Sequence, residues 1–335
     1  MPRACSLLLL LIVAACREAP SDQAPAPPAS ATSSASAAPS AQATVAPEFT
    51  PATSPSSAPP LSARRQRLLD DDLDQKKREI AHTAYARMPQ RTVDGMFLLV
   101  AGEPSAPIDA AEKVVHDTVT ALFHGPLAHR TDHATLVWVF ADPERYRPFL
   151  QERVGGKVDP KALGYYDEGT DEIYVCTGPG GVTTGAHEIA HVLVGGADFP
   201  LAPLWLQEGI AAQLEAADFN PPGEVHGKAH FRLQTLRTML ASPDQAAGVR
   251  LDAVFALKDT QLVGPDAYVA YGLSREALRW LDSRHQLWRF YRTWRDGVLD
   301  DPTGEKAFVA VVGRTPRAAS EEWRAWIRSP EAERP

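Results

Sequence analysis

In the run His187-Glu188-Ile189-Ala190-His191 two histidines stand four residues apart, with a carboxylate directly after the first. On a helix that spacing puts both imidazoles on one face about one turn apart, where they can grip a single divalent ion. Glu188 then points roughly a quarter turn away. It reaches a water beside the ion without ligating the metal itself, which is the position a general base needs. Further on, Glu208 sits in Trp205-Leu206-Gln207-Glu208-Gly209-Ile210-Ala211 with the apolar neighbours Leu204, Ile210, Ala211 and Leu214. A carboxylate on so apolar a helix is costly unless something pairs with it, and a zinc ion would do so. The flanks support a helix under the pentad: Thr183 and Thr184 can cap its start, Val192-Leu193-Val194 extend it, and Gly195-Gly196 predict its end.

The extended motif with a third histidine requires Gly at 194 and His at 197; Val194 and Ala197 stand there instead, which excludes that branch. With Glu208 on the next helix, the arrangement resembles the gluzincins among the zincin metallopeptidases. The resemblance implies His187, His191 and Glu208 as ligands of one Zn2+ per chain and Glu188 as the base. It departs at Ala212, where such enzymes carry an Asp one turn after the ligand Glu, so no partner for the ligand histidines is assigned by the likeness. Further segments are similar to the peptidase-MA-like bacterial proteins: Gly164-Tyr165-Tyr166 leading into Glu172-Ile173-Tyr174-Val175-Cys176, the W-x-x-E-G-x-A helix, and Tyr271-Gly272-Leu273-Ser274. The likeness runs over residues 95 to 328.

That resemblance implies an α+β, zincin-like fold: a small strand-bearing N-terminal lobe, then a mainly helical C-terminal lobe, with the metal between them. It implies peptide-bond hydrolysis of a peptide or protein substrate. The developing oxyanion needs a donor, and Tyr271 is the candidate, with Tyr268 one turn earlier as its rival. The alternative for both is packing at an aromatic helix interface beside Trp280 and Trp288. The strand at 172–177 could hold an extended peptide by edge pairing, or could equally be interior.

The elements that must position these groups are legible as patterns. A charged helix is expected over 63–88, and Met96 to Val100 reads as a strand buried on both faces. A helix follows over 109–124, a second strand over Thr135 to Phe140, a helix over 143–153 and a third strand over 172–177. Beyond these the spacing predicts helices at 182–194, 203–216, 228–242, 265–283, 285–297 and 317–328.

Ahead of this body, Arg3, the apolar run Leu7 to Val13 and the box Val13-Ala14-Ala15-Cys16 read as a bacterial lipoprotein signal over 1–16. Lipidated Cys16 would become the N-terminus and the membrane anchor, since more than one acyl chain is needed for stable attachment. Arg17, rather than Asp, fits the periplasmic face of the outer membrane on resemblance. Residues 17–61 read as a tether, because 30 of the 40 residues from 21 to 60 are Ala, Pro or Ser and cannot bury a core. The domain proper is then 62–335. With Cys5 and Cys16 accounted for, Cys176 is left single and no intramolecular disulfide is expected. A net charge of -8 gives no electrostatic footprint for nucleic acid. Arg64, Arg65 and Arg67 face Asp70, Asp71 and Asp72 in sequence and read as a solvated helix face.

His226 and His230 repeat the four-residue spacing but lack a base and follow Pro221-Pro222-Gly223, so they are not expected to be ligands. His116, His124, His129 and His133 have no matching carboxylate pattern. Trp323 and Trp326 read as a packing seam. The competing function is a non-catalytic envelope lipoprotein that keeps the fold as a binding or assembly module. An intact Glu188 favours the enzyme, since a purely structural metal site has no use for it.

Overall fold

The computed structural model describes residues 60–155, 158, 162–177, 183–219, 224–263 and 267–334; Cys16, the leader and almost all of the tether lie outside them. Helix α1 (Ala63–Ala81) starts at Ser62, whose hydroxyl accepts from Arg65 N, and buries Leu69, Leu73 and Ile80. It is shorter than expected, because residues 82–88 close as turns, with Thr83 Oγ1 donating to Ile80 O. Strand β1 (Gln90–Val93) was not anticipated. It pairs antiparallel with β2 (Phe97–Ala101) across Asp94 and Gly95, both at positive φ, as tight hairpin turns require.

Helix α2 (Ile108–His124) returns the chain to β3 (Thr135–Phe140), which runs parallel to β2, and α3 (Pro143–Val154) leads on to a hairpin of β4 (Gly164–Asp167) and β5 (Glu172–Cys176). The sheet order is β1-β2-β3-β5-β4. β2 and β3 are buried at every residue, as parallel strands covered on both faces must be. The alternative left open for 172–177 is thereby decided: β5 is interior, between β3 and β4, and the free edge at that end is β4.

Helix α4 (Thr183–Ala190) packs on α2, β4 and β5. It continues without a break into a π-helical segment (His191–Asp198), closed by Phe199 N donating to Val194 O five residues back. Gly195 and Gly196 therefore do not end the helix as expected. Neither has a positive φ, and Gly195 serves close packing: a Cβ there would lie 2.1 Å from Gln207 Oε1.

The rest is mainly helical, so the molecule is a mixed α/β protein with a small sheet and a helical C-terminal half. Helix α5 (Leu204–Leu214) is followed by a two-stranded ribbon, β6 (Ala217–Asp218) with β7 (His226–Gly227). That ribbon delays α6 (Phe231–Ala241) past the predicted start at 228. Short helices α7 (Pro243–Ala246), α8 (Leu251–Phe255) and α9 (Asp259–Leu262), unforeseen, precede α10 (Ala267–Asp282). The chain ends in α11 (Leu287–Gly297), α12 (Glu305–Val312), also unforeseen, and α13 (Pro316–Arg328).

Helix α10 runs through the middle of this half, buried along most of its length. Its Glu276 is paired on both sides, with Arg275 Nη1 at 2.7 Å and Arg279 Nη1 at 2.8 Å, so that buried carboxylate is not left alone. Helices α5 and α10 cross at Gly209, where a Cβ would meet Leu278 Cδ1 at 2.8 Å and Ser274 O at 3.1 Å. Trp323 is fully buried, its Nε1 donating to Glu276 O, and Trp326 lies under Arg279, in keeping with a packing seam. Among the described residues no helix is long and apolar enough to cross a membrane.

Candidate metal centre

The last turn of α4 and the first residue of the π-helical segment carry His187 and His191, and their Nε2 atoms converge to 3.2 Å. Helix α5 brings Glu208 Oε2 to 3.4 Å from His187 Nε2 and 3.6 Å from His191 Nε2. Ligands each ~2.0–2.1 Å from a tetrahedral ion stand about 3.3–3.4 Å apart, so these separations fit one zinc-sized cation. Among the described residues this is one group of His, Cys, Asp or Glu whose ligand atoms all lie within 4.8 Å of one another.

The donor set is also unsatisfied without a cation. Neither oxygen of Glu208 makes a well-formed hydrogen bond among the described residues, although the residue is only 1% exposed. Buried carboxylates left so are expensive. The two imidazoles and one carboxylate are the donor types zinc takes at a catalytic site.

Electrostatics separate the groups. Burial disfavours the His187 cation, but Glu208 and Glu215 outweigh it and hold its pKa well above the usual value. Burial brings His191 down to about 4, only partly opposed by Glu208. Against the burial penalty, His191 and then His187 hold Glu208 low. For Glu188, burial dominates: with Glu208 and Glu215 it outweighs the opposing pull of His187 and lifts the carboxyl to about 7. Both Glu188 oxygens lack a hydrogen-bond partner among the described residues. Backbone of β4 passes directly over this group, since a Cβ on Gly164 would sit 2.6 Å from Glu188 Oε1.

The two tyrosines part company. Tyr271 turns inward from α10, and its hydroxyl is buried beside Glu208 without a well-formed hydrogen bond. Burial, then the charges of Glu208, Glu215 and Glu188, hold its phenol well above the ordinary range. Tyr268 faces α6 instead: its hydroxyl lies 2.6 Å from Thr235 Oγ1 and its ring stacks on Phe231. Trp280 and Trp288 pair with Phe308 and Tyr291, so the expected aromatic interface does not involve Tyr271.

The remaining histidines stand apart from the centre. His226 lies on β7, 3.3 Å from both Asp282 Oδ2 and Glu224 Oε2, and these contacts raise its pKa to about 9. His230 precedes α6, where burial and then Arg275 and Arg232 bring it down to about 3. The two are not on one helix, so their spacing carries no ligand geometry. His116 pairs with Asp94, His129 with Asp198, and His133 with Asp132 and Asp171. Cys176 is buried and forms no disulfide.

Sequence reasoning missed Glu215. Its Oε1 lies 2.9 Å from His187 Nδ1, off the ideal hydrogen-bond axis, and its side chain is 9% exposed. The signal was present: seven residues after Glu208 is two helical turns, the same face of α5. Arg232 and, against burial, His187 hold its pKa far below the carboxylate range. Asp198 was missed as well; it closes the π-helical segment, and its buried carboxylate meets four residues on two parts of the chain, Ala128 and His129 in the loop after α2 and Tyr291 and Arg295 on α11. Compared with protein-family models and with curated protein sequences, the chain matches none, and the reading of the centre rests on its own geometry.

Proposed function

We propose that this chain is a zinc-dependent peptidase of the gluzincin type, similar to the peptidase-MA-like bacterial lipoproteins, acting in the bacterial cell envelope on a lipid anchor at Cys16. The observation that carries the reading is the pairing of two features in one buried place: three donors at tetrahedral spacing, and beside them the unpartnered carboxylate of Glu188. His187, His191 and Glu208 would hold the metal. When bound, zinc would acidify a water and polarise a substrate carbonyl.

The chain's own residues then have distinct tasks. Glu188, poised at about 7, can take a proton from water at one carboxylate oxygen and deliver it to the leaving amine. Tyr271, whose phenol stays protonated across the physiological range, can donate its hydroxyl hydrogen to the developing oxyanion. Strand β4, whose Gly164 lies against Glu188, is the outer strand of the sheet and could offer its edge backbone groups to an extended peptide, a role that β5, being interior, does not have.

The rival reading, a non-catalytic zincin-fold binding module, is favoured by one observation: His187, Glu188, His191 and Glu208 are each at most 3% exposed, and closed sites suit structural metals. A structural site, however, has no use for a second, non-ligating carboxylate. The two readings separate on Glu188→Gln. That variant should keep one equivalent of zinc while peptide hydrolysis falls about 10²-fold to 10⁴-fold. A wild type that holds zinc fully and cleaves nothing in a broad peptide library would establish the binding module instead.

A further inference from the structure

Glu215 and Arg232 belong to neither the donor set nor the proton relay, yet they are the most heavily invested polar pair around it. Glu215 follows the last residue of α5, and Arg232 lies in the first turn of α6. Arg232 grips Glu215 with both guanidinium nitrogens, Nη1 on Oε2 and Nη2 on Oε1 at 3.4 Å. Oε1 is the same oxygen that faces His187 Nδ1 at 2.9 Å. The guanidinium carbon of Arg232 lies over the Tyr271 ring, 5.5 Å from its centroid, and over the Phe231 ring at 5.0 Å. Arg232 is 3% exposed, so none of these contacts is loosened by bulk water.

We propose that Arg232 and Glu215 form a clamp by which α6 orients both His187 and Tyr271 at the metal centre, making the two clamp members positioning residues. The inference rests on the metal reading of His187, His191 and Glu208. Its physical basis is that an imidazole bound through Nε2 is free to rotate unless a partner fixes Nδ1, and that such partners tune ligand strength. A lone buried carboxylate would be a poor partner, because its own position and charge would be unsupported. The planar fork of arginine fixes Glu215 in two directions and leaves a flat cationic face for an aromatic ring, which a lysine cannot do. Among the described residues His191 Nδ1 has no comparable carboxylate, so the support there is one-sided and directed through His187. The position at which the resembled enzymes place an orienting Asp is Ala212 here, and Glu215, three residues further on, reaches the imidazole of His187.

The test is zinc affinity by competition with a chromophoric chelator, together with the visible spectrum of the cobalt(II)-loaded protein, for the full chain and three variants. Glu215→Gln keeps shape but removes the charge; Arg232→Lys keeps charge but removes the fork and the flat face. Glu276→Gln is the control, a buried carboxylate whose ion pairs are with Arg275 and Arg279 rather than with a donor or a clamp member. The clamp predicts about 10-fold to 100-fold weaker zinc binding and an altered cobalt spectrum for Glu215→Gln and Arg232→Lys, with Glu276→Gln at wild-type affinity and spectrum. If Glu215→Gln does not fold, Arg232→Lys carries the test by the same two readouts. Wild-type affinity and spectrum in both clamp variants would overturn the clamp and leave the metal reading standing. Equal losses in all three variants would also overturn it, because they would mark general destabilisation. A wild type that takes up neither zinc nor cobalt would overturn the metal reading and the clamp together.

Discussion

The carboxylate of Asp198 accepts a hydrogen bond from the Tyr291 hydroxyl at 2.8 Å, joining the end of the segment that carries His191 to α11 across 93 residues of chain. The other oxygen of the same carboxylate accepts from Ala128 N and His129 N, both at 2.7 Å, which ties in the loop that leads from α2 to β3. Arg295 Nη1 balances the charge at 2.8 Å. The position of His191, seven residues before Asp198, therefore depends on a junction between the sheet-bearing and helical halves.

Asp198→Ala should destabilise the fold by about 3–5 kcal/mol, because it leaves Arg295, the Tyr291 hydroxyl and two backbone amides without their shared acceptor. Denaturant unfolding followed by circular dichroism measures this. A midpoint equal to that of the wild type would show that the junction does not support the fold.

Glu208→Ala should weaken zinc binding by more than about 100-fold, since loss of an outer partner alone costs 10-fold to 100-fold and here a ligand itself is gone. A His226→Ala/His230→Ala double variant should keep wild-type affinity, because neither histidine faces the donors. Paired zinc titrations giving the reverse order would remove Glu208 from the site.

Gly164→Val places a side chain where a Cβ already falls 2.6 Å from Glu188 Oε1 and 2.4 Å from Thr184 Cγ2. Zinc content should stay at one equivalent, because none of the donors is touched. Hydrolysis by the proposed peptidase should drop at least about 10-fold, since ångström-scale displacement of a catalytic group is enough for that. Unchanged turnover in this variant would mean that β4 does not confine Glu188.

His226 provides a pH dependence remote from the donors. Its pKa is raised from 6.5 to about 9 by Asp282 on α10 and by Glu224, so the folded state binds the proton more tightly than the unfolded chain. The stabilisation is fully present below pH 6.5 and is lost as the pH rises through about 9. Partial exposure of the ring keeps the effect modest. Asp282→Asn should bring the His226 titration back toward 6.5 by NMR, and should cost stability near pH 6 but little near pH 10. A wild-type His226 that already titrates at its ordinary value would refute the pairing.

Much of the architecture was legible locally. Residues 97–101, 136–140 and 173–176 are continuous apolar runs, and a strand buried on both faces leaves that mark. The i, i+4 histidines and the apolar α5 helix around Glu208 follow from helical periodicity, which is a short-range property of the chain. What misled was also local: Gly195-Gly196 looks like a stop, but it is there so that Gln207 can approach the helix backbone. The ribbon of β6 and β7 and the short helices α7 to α9 are too brief to leave a period.

The sequence by itself singled out His187, Glu188 and His191, because spacing on a single helix sets which side chains share a face, and it singled out Glu208 because a carboxylate on so apolar a helix needs a partner. Only the tertiary structure decided which tyrosine turns toward Glu208, which strand is the free edge, and that Glu215, Arg232 and Asp198 surround the centre. The free edge follows from strand order, and the tyrosine and Arg232 from how one helix meets another: Gly209 sets the approach of α10 to α5, and the first turn of α6 delivers Arg232 to the end of α5. Such crossings are fixed by packing between segments far apart in the chain, for which no local period exists.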